Sequence, residues 1–364
     1  MSATLTIRGA RAVAVEVPMA IALGTSAQKI DRATLLLIDL ETEEGVTGRA
    51  YVFCVLRAVA GPTARIVAEA LRVVKGDKVA PFEIRAKLLR YFRLMGVQGI
   101  VRMAIAGLDV ACWDALAIAA GLPLVRMLGG VPKPVPAYNS RGLGLMGLEA
   151  LAEEAEALLA GGFRGVKLRL GYPRLEQDLA AVRAVRRRIP EQIVLMVDFN
   201  QALTTADALH RGRALDDEGI YWIEEPVRHD DYPGNAQVAA ALSTPVQIGE
   251  NFSGPQAMSA ALAAKACDYV MPDLERIGGV SGWQQAAGIA AGAGIEMSSH
   301  LYPEASAHLL AATPSAHWLE YVDWANPILR EPIRIADGAA LVPDRPGTGV
   351  EWNEEMVARY RIDT

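Results

Sequence analysis

Cysteine is scarce in this chain. Only Cys54, Cys112 and Cys267 occur in 364 residues, and they lie far apart. An odd number of cysteines at wide spacing indicates neither a disulfide framework nor a zinc site. We therefore expect a reducing, cytoplasmic setting.

The chain also lacks any excess of positive charge. Its net charge is -6 and its pI is about 5.5, whereas nucleic-acid and membrane-surface partners usually require a basic excess. The first residues, MSATLTIRGARAVAVEVP, do not follow the plan of a signal peptide. The longest apolar stretch, GLDVACWDALAIAAGLPLV, contains Asp109 and Asp114 and predicts a buried helix rather than a membrane span. We expect neither nucleic acid nor a membrane as partner.

Hydrophobic residues make up 52% of the chain, and its length exceeds one ordinary domain, so two domains are expected. Residues 6 to 57 predict strands, with a hairpin turn at Glu44 and Gly45. Residues 60 to 120 have the three- and four-residue apolar spacing of helices. Together these segments predict an α+β domain at the N-terminus. The loops and short strands after Trp318 are expected to pack back onto it.

Six short apolar runs lie between Val194 and Glu320, and each ends in a potential metal ligand or proton-transfer group. They recur about once every 20 to 27 residues, with helical segments between most of them. The residues that end them are Asp198, Glu224, Glu250, Asp273, His300 and Glu320. Strands that alternate with helices at this period predict a parallel α/β barrel, because a parallel pair needs a long crossover. The carboxyl-terminal rim of such a barrel is where catalytic groups converge.

Three of these residues are acids on consecutive predicted strands: Asp198, Glu224 and Glu250. Their carboxylates would repel one another at the centre of the rim. A hard divalent cation resolves the repulsion, and oxygen-only ligands favour Mg²⁺, with Mn²⁺ possible, over zinc. The alternative is that the acids pair with helix N-termini or with lysine and arginine.

A second group is predicted across the barrel. Lys167 and Arg169 are two residues apart, so they lie on the same side of one strand. Opposite them, Asp273 would hold the imidazole of His300 and make it a general base. Glu320, if it faces the substrate from a poorly solvated pocket, would stay protonated and donate a hydrogen bond. A salt-bridged structural role is the alternative for Glu320.

The other four histidines sit on predicted helices or loops, where structural roles are expected. They are His210, His229, His308 and His317.

At these residues the chain resembles the enolase superfamily, and within it the mandelate racemase subgroup. The segments that carry the resemblance are VKLRLGYP, MVDFNQAL, WIEEP, VQIGEN, MPDLERIGGVSGW and MSSHLYPEASAHLLAATPSAHWLE. The resemblance implies an α/β fold in which an α+β capping domain (1–130) covers a modified (β/α)₇β barrel (131–325). It also implies that the C-terminal segment (326–364) returns to the capping domain.

The resemblance further implies a role for each site residue. Mg²⁺ would be held by Asp198, Glu224 and Glu250, and Asp273 with His300 would form the base. Glu320 would donate to the enolate, Asn200 would lie beside the bound substrate, and Lys167 would contact the substrate carboxylate. The implied reaction is removal of the α-proton of a 2-hydroxy carboxylate to give a metal-stabilised enediolate.

Arg169 departs from the pattern of the similar racemases, which carry lysine at both ends of the Lys-x-Lys motif. An isolated guanidinium, with a pKa near 13.8, is neutral in roughly one molecule in several million at pH 7, so Arg169 is a poor base. It is a good donor to a carboxylate or hydroxyl. Racemisation needs proton exchange on two faces, whereas loss of water needs one base. We therefore predict dehydration of a 2,3-dihydroxy carboxylate.

The predicted lid favours a different outcome. If the loops at 19 to 31 and 51 to 56 cover the site, they supply apolar and aromatic side chains, which suit an aryl or alkyl group. These residues are Ile21, Leu23, Tyr51, Phe53, Val55 and Leu56. Some of them could instead be core residues of the cap. A racemase or epimerase of an apolar 2-hydroxy acid, with Arg169 deprotonated or replaced by another base, therefore remains the alternative.

Ser140 follows the first predicted barrel strand. It is predicted either to hydrogen-bond the substrate carboxylate or to cap a turn. Two hypotheses from other classes remain: a Schiff-base aldolase built on Lys167, which would not need three acids, and a non-catalytic ligand binder. A homo-oligomer is expected, since barrels of this kind commonly form symmetric assemblies.

Overall fold

The first part of the chain is an antiparallel sheet covered by helices. In the computed structural model, which describes residues 4–364, three strands pair in the order β1-β2-β3. The strands are β1 (Ile7–Gly24), β2 (Lys29–Thr42) and β3 (Thr47–Phe53), and the helices are α1 (Arg57–Val74), α2 (Pro81–Tyr91) and α3 (Gly99–Ala120). The predicted hairpin turn joins β2 to β3, and Gly45 supplies its left-handed residue with φ of 85°. We call this part, residues 4–120, the cap.

Helix α3 is the core helix of the cap. It is long and apolar enough to cross a membrane, but 72% of its apolar window is buried inside the fold. It packs so closely on β3 that a methyl group added at Gly48 would lie 2.0 Å from the carbonyl oxygen of Ala111. The prediction of a buried helix is confirmed.

Eight parallel strands then close into a barrel. After the short helix α4 (Leu124–Met127), the strands are β4 (Pro134–Asn139), β5 (Gly165–Arg169), β6 (Val194–Asp198), β7 (Ile223–Glu224), β8 (Val246–Ile248), β9 (Tyr269–Val270), β10 (Glu296–Met297) and β11 (Leu319–Tyr321). β11 pairs with β4, and the main chain of Met297 bonds to residues just before β11, so the cycle is complete.

Helices connect each strand of the barrel to the next. They are α5 (Leu148–Ala157), α6 (Leu175–Arg188), α7 (Thr205–Leu215), α8 (Tyr232–Ala241), α9 (Pro255–Ala263), α10 (Leu274–Ile277), α11 (Gly279–Ala293) and α12 (Pro303–Ala311). Residues typical of helix N-termini begin several of these helices. The Thr204 hydroxyl caps α7 by accepting from the N–H of Asp207, and Pro255 occupies the first turn of α9. The predicted (β/α)₇β barrel with an N-terminal capping domain is confirmed.

The C-terminal segment contacts both parts of the molecule. A 3₁₀ turn (Asn326–Ile328) leads to β12 (Arg334–Ala336) and β13 (Ala339–Leu341), and β13 pairs antiparallel with β4 of the barrel. The chain then crosses to the cap, where α13 (Glu354–Tyr360) lies against β1. The Trp352 indole donates to Asp39 at 2.6 Å. The tail therefore contacts the cap and also extends the barrel sheet. The domain boundaries at 130 and 325 stay a prediction.

Candidate active site

Three acids converge at the carboxyl-terminal rim of the barrel. Asp198 and Glu224 end β6 and β7, and Glu250 follows β8 by two residues. One carboxylate oxygen from each lies within 4.8 Å of the others, close enough for a single metal ion. Asp198 and Glu224 are fully buried, so water does little to screen their charges.

The electrostatics of these acids fit a bound cation. Burial and the neighbouring carboxylates raise the pKa of Asp198 and raise that of Glu224 to about 8. Burial also acts to raise the pKa of Glu250, but His300 and then Arg276 outweigh it and lower that pKa. Beside Asp198, the buried side-chain oxygen of Asn200 has no hydrogen-bond partner among residues 4–364. An oxygen-only set of this kind suits Mg²⁺.

Lys167 lies between the acids and Glu320. Its Nζ is 2.6 Å from Glu224 Oε1, 2.7 Å from Glu320 Oε1 and 3.4 Å from Asp198 Oδ2. Burial alone would lower its pKa, but the three carboxylates raise it. Pairing of the acids with a lysine, which the sequence left open, is thus present here. A cationic amine is a poor nucleophile, which argues against a Schiff-base aldolase.

Arg169 is fixed by the loop that follows β4. Its Nη1 donates to the carbonyl oxygens of Ser140 at 3.0 Å and Gly142 at 2.8 Å, and its Nη2 donates to Ser140 Oγ at 2.7 Å. The Nε atom is buried without a partner among the described residues, 4–364. The guanidinium is therefore a rigid donor in the cavity wall.

The predicted base is assembled on the opposite side. His300 Nδ1 lies 2.7 Å from Asp273 Oδ2, and its Nε2 lies 3.3 Å from Glu250 Oε2. Asp273 also begins α10, because its Oδ1 accepts from the main-chain N–H groups of Glu275 and Arg276. Burial acts to lower the pKa of His300, but Glu250, Glu320 and Asp273 raise it well above its usual value. Each member of this pair follows its strand by three residues instead of ending it.

Two predictions about this region need correction. Glu320 accepts hydrogen bonds from Ser140 Oγ at 2.7 Å and the N–H of Leu301 at 3.0 Å. Although burial would raise its pKa, contact with Lys167 lowers it to about 2, and this contact favours the salt-bridged alternative for Glu320 over a protonated donor. Ser140 is fully buried behind Glu320. It bridges Glu320 to Arg169 rather than facing the substrate.

A cavity of about 180 Å³ lies above these groups, between cap and barrel. It is lined on the cap side by Leu23, Thr25, Ala27, Gln28, Ile30, Phe53 and Val55, and on the barrel side by Lys167, Arg169, Asp198, Asn200, Gln201, Glu250, Arg276, His300, Leu301, Glu320 and Trp324. The segment at 19 to 31 is not a loop but the end of the β1–β2 hairpin.

Only half of the expected lid residues reach the cavity. Leu23, Phe53 and Val55 line it, as expected. The prediction for Tyr51 is wrong, because its hydroxyl turns away and donates to Glu304 at 2.7 Å. Ile21 packs against the hydrophobic core of the barrel, and Leu56 is 53% exposed. Tyr51 and Phe53 are two residues apart on β3, so the alternation of side chains along the strand does not separate them.

Several lining residues were missed from the sequence. Trp324 and Leu301 form apolar wall, and Gln28, Gln201 and Arg276 add polar groups. Leu301 directly follows His300, and Trp324 lies four residues after Glu320, so both come shortly after segments that had been singled out. Their position after a barrel strand was a usable signal, since the loops at that rim build the site.

Fold and site together define a class: barrel enzymes with a capping domain, three rim carboxylates and a histidine–aspartate pair on the opposite side. The family model described as "Mandelate racemase / muconate lactonizing enzyme, N-terminal domain" matches residues 5–129. The model described as "Enolase C-terminal domain-like" matches residues 150–356. The chain belongs to the mandelate racemase and muconate lactonizing enzyme family of the enolase superfamily.

Known proteins of this family resemble the chain over nearly its whole length. The L-talarate/galactarate dehydratase of Salmonella typhimurium LT2 is 31% identical over 91% of this chain and 84% of its own. An enolase structure from alpha pretobacterium bal199 with bound magnesium has a TM-score of 0.97 at 45% identity, covering 99% of this chain and all of its own. An enolase structure from Bradyrhizobium, complexed with magnesium and mandelic acid, has a TM-score of 0.96 at 41% identity and full coverage of both chains.

Proposed function

We propose that this chain removes the α-proton of a small 2-hydroxy carboxylate and then expels water from the neighbouring carbon. The observation that carries the proposal is the placement of His300: its Nδ1 is held by Asp273, and its Nε2 points to the rim acids, 3.3 Å from Glu250. A cavity of about 180 Å³ suits a small acid.

A divalent cation, Mg²⁺ by preference, would be held by Asp198, Glu224 and Glu250. When bound, it acts as a Lewis acid that stabilises the negative charge developing on the substrate carboxylate. Lys167 adds a buried positive charge on the same side. The Asn200 Oδ1 atom, beside Asp198, has no partner among residues 4–364 and would accept a hydrogen bond from a substrate hydroxyl. Two cationic centres make the α-proton acidic enough for an imidazole to remove.

His300 works in both halves of the reaction. The carboxylate of Glu250 does most to raise the pKa of His300, and that effect would be offset when Glu250 holds the cation. Nε2, then neutral, takes the α-proton while Asp273 stabilises the imidazolium that forms. The electron pair left on the α-carbon forms a carbon–carbon double bond as the β-carbon–oxygen bond breaks, and the imidazolium returns its proton to the departing hydroxyl as water. The enol product becomes a 2-oxo acid. One base is enough, and neither Lys167 nor Arg169 is available as a second, because carboxylates hold Lys167 charged and the arginine donates to four oxygen atoms.

Racemisation or epimerisation of an apolar 2-hydroxy acid is the second candidate. It is favoured by the apolar wall of Leu23, Phe53, Val55 and Trp324. The mandelic acid in the Bradyrhizobium relative also supports it. It requires a second base on the face opposite His300, where this chain has Arg169.

One screen separates the candidates. A panel of 2-hydroxy and 2,3-dihydroxy acids is incubated with the protein and Mg²⁺ in deuterated water, and mass and optical rotation are followed. Dehydration predicts loss of water from a dihydroxy acid, with one deuterium added at the β-carbon as the enol becomes the 2-oxo acid. Racemisation predicts deuterium uptake at the α-carbon with loss of optical rotation. Uptake from both enantiomers of an acid, with water loss from none, would overturn the first candidate. No uptake from any acid that binds would favour a non-catalytic binder.

We also infer a cytoplasmic homo-oligomer that acts on a small carboxylate, with neither nucleic acid nor a membrane as partner. All three cysteines lie within the described residues, and they are buried and unbridged, which is compatible with a reducing compartment. Sedimentation of the purified protein tests the oligomer.

A further inference from the structure

Glu275 connects the cap to the turn that carries Asp273. It lies in the first turn of α10 and is only 4% exposed. Its main-chain N–H donates to Asp273 Oδ1 at 2.9 Å. Its side-chain Oε2 accepts from the main-chain N–H of Phe53 at 3.0 Å and from the hydroxyl of Tyr302. One residue therefore touches both the partner of the base and the edge of the cap sheet.

Phe53 needs such a partner because β3 is the edge strand of the cap sheet. An edge strand presents N–H groups that no further strand can pair, and a buried unpaired N–H is costly. Here the N–H of Phe53 donates to Glu275 and to the Tyr302 hydroxyl at 2.9 Å. The Phe53 ring lines the cavity, with its centroid 5.0 Å from that of Trp324.

We propose that Glu275 is a positioning residue that fixes Phe53, and with it the Phe53–Trp324 wall of the cavity, relative to Asp273 and His300. This inference rests on the proposed function of the cavity as an acid-binding site. The Glu275 side chain is not part of the cavity lining, so it acts through Phe53. Replacing the Glu275 side chain keeps the hydrogen bond from its main-chain N–H to Asp273. The replacement should therefore change substrate binding and selectivity more than proton transfer.

The chain offers a matched control two residues earlier on the same strand. The Tyr51 hydroxyl donates to Glu304, a buried carboxylate of α12, at 2.7 Å. This contact also joins cap to barrel through a buried acid, but neither residue lines the cavity. A general loosening of the cap would affect both contacts, whereas positioning of Phe53 depends on Glu275.

The first test is hydrogen–deuterium exchange on the free protein. Glu275→Leu removes one of the two acceptors of the Phe53 N–H and also the carboxylate to which the other acceptor, the Tyr302 hydroxyl, donates. We expect the Phe53 amide to exchange at least about tenfold faster, because a buried N–H with weakened pairing opens more readily. Glu275→Gln keeps an acceptor oxygen and should restore protection. Burial and the nearby Asp273 raise the pKa of Glu275 to about 8, so its neutral acid, which glutamine resembles, is well populated at pH 7. Glu304→Gln should leave the Phe53 amide protected.

The second test is binding of mandelate in the presence of Mg²⁺, measured by calorimetry. We expect its Kd to rise about tenfold in Glu275→Leu and to change less than about twofold in Glu275→Gln and Glu304→Gln. For any acid that turns over, KM should rise while kcat changes little. Tyr302→Phe removes the second acceptor and keeps the ring, so it should act in the same direction if Glu275→Leu does not fold.

Unchanged exchange at Phe53 in Glu275→Leu and Tyr302→Phe overturns the inference. The inference is also overturned if Glu304→Gln loses as much affinity for mandelate as Glu275→Leu does, because that result would mean that the whole cap had loosened. If the wild-type protein binds neither mandelate nor any other acid, the proposed function fails, and the role of Glu275 in substrate binding fails with it. If the wild-type protein binds mandelate but exchanges no α-proton of any acid, the proposed reaction is wrong. The role of Glu275 in positioning Phe53 is then still decided by the exchange and binding measurements on the variants.

Discussion

Arg169 is the single side chain on which the reaction outcome depends most. Three hydrogen bonds hold its guanidinium against the loop after β4. A guanidinium does not lose its proton near neutral pH, whereas a desolvated lysine can reach a pKa of about 7. In the proposed reaction, arginine at this place thus leaves a base, His300, on one face of the substrate only.

Arg169→Lys should consequently introduce proton exchange on the second face. We expect the wild-type protein to exchange the α-proton of one stereoisomer of an acid, and Arg169→Lys to gain measurable exchange of the other. Nuclear magnetic resonance in deuterated water follows both. Arg169→Met, which has no titratable group, is the control. Equal exchange of both stereoisomers in Arg169→Met would mean that another base serves the second face.

The charge of Asp273 should matter separately from its capping of α10. Asp273→Asn keeps an oxygen for the N–H groups of Glu275 and Arg276, but it removes the negative charge beside His300 Nδ1. We expect kcat to fall by about 10² to 10⁴ with an unchanged melting temperature, because the imidazolium loses its support and its tautomer changes. A variant with full kcat would show that His300 needs no carboxylate partner.

At the scale of elements, the cap depends on close packing of α3 on β3. A methyl group at Gly48 would meet the Ala111 carbonyl at 2.0 Å and the Ala115 nitrogen at 2.7 Å, both main-chain atoms that cannot move aside easily. Gly48→Ala should reduce the free energy of unfolding by about 1–3 kcal/mol or more. Urea denaturation measures it. Gly147→Ala, where nothing lies within 4 Å of the added methyl, is the matched control; an equal loss there would contradict the packing argument.

Helix α12 carries a histidine that makes stability depend on pH. His308 accepts from the N–H of Val125 and donates to the carbonyl of Thr348, and burial lowers its pKa to about 4 from the usual 6.5. Between these values the unfolded chain binds the extra proton, so stability rises with pH and is lost as pH falls from 6.5 to 4.

We therefore expect His308→Gln to be less stable than wild type at pH 7.5 but to lose less stability on acidification. The difference in free energy of unfolding between wild type and His308→Gln should shrink by about 2–3 kcal/mol between pH 7.5 and 4.5. Equilibrium denaturation at both pH values measures it. The other titrating groups remain in both proteins and cancel in the comparison. Parallel pH curves would contradict the assignment.

The sequence predicted elements better than contacts. Strand and helix alternation followed from apolar periodicity, and the convergence of Asp198, Glu224 and Glu250 followed from barrel topology alone. The sequence did not predict what the side chains at strand ends contact. Tyr51 and Phe53 share a strand, yet Tyr51 binds Glu304 and Phe53 lines the cavity. The salt bridge of Glu320 was predicted only as the alternative, because its partner Lys167 reaches Glu320 from a different strand.

At the scale of the whole molecule, cap and barrel are joined at several places far apart in sequence. Phe53 bonds to Glu275, Tyr51 bonds to Glu304, and the tail passes from β13 on the barrel to α13 on the cap. A cation that relieves repulsion between the rim acids stabilises the barrel directly. Because the cap shares these buried contacts, the stabilisation should extend to both domains.

Addition of Mg²⁺ should accordingly raise the melting temperature of one cooperative transition. At a concentration of about 100 times its Kd, a ligand that binds only the folded protein contributes about 2.7 kcal/mol. Scanning calorimetry with Mg²⁺ and with EDTA measures the shift, and Glu224→Gln, which weakens the ligand set, should respond less. Two transitions, of which Mg²⁺ moves only one, would mean that the cap unfolds independently. In that case the contacts of Phe53 and Tyr51 do not couple the domains, since stabilising the barrel would leave the cap unaffected.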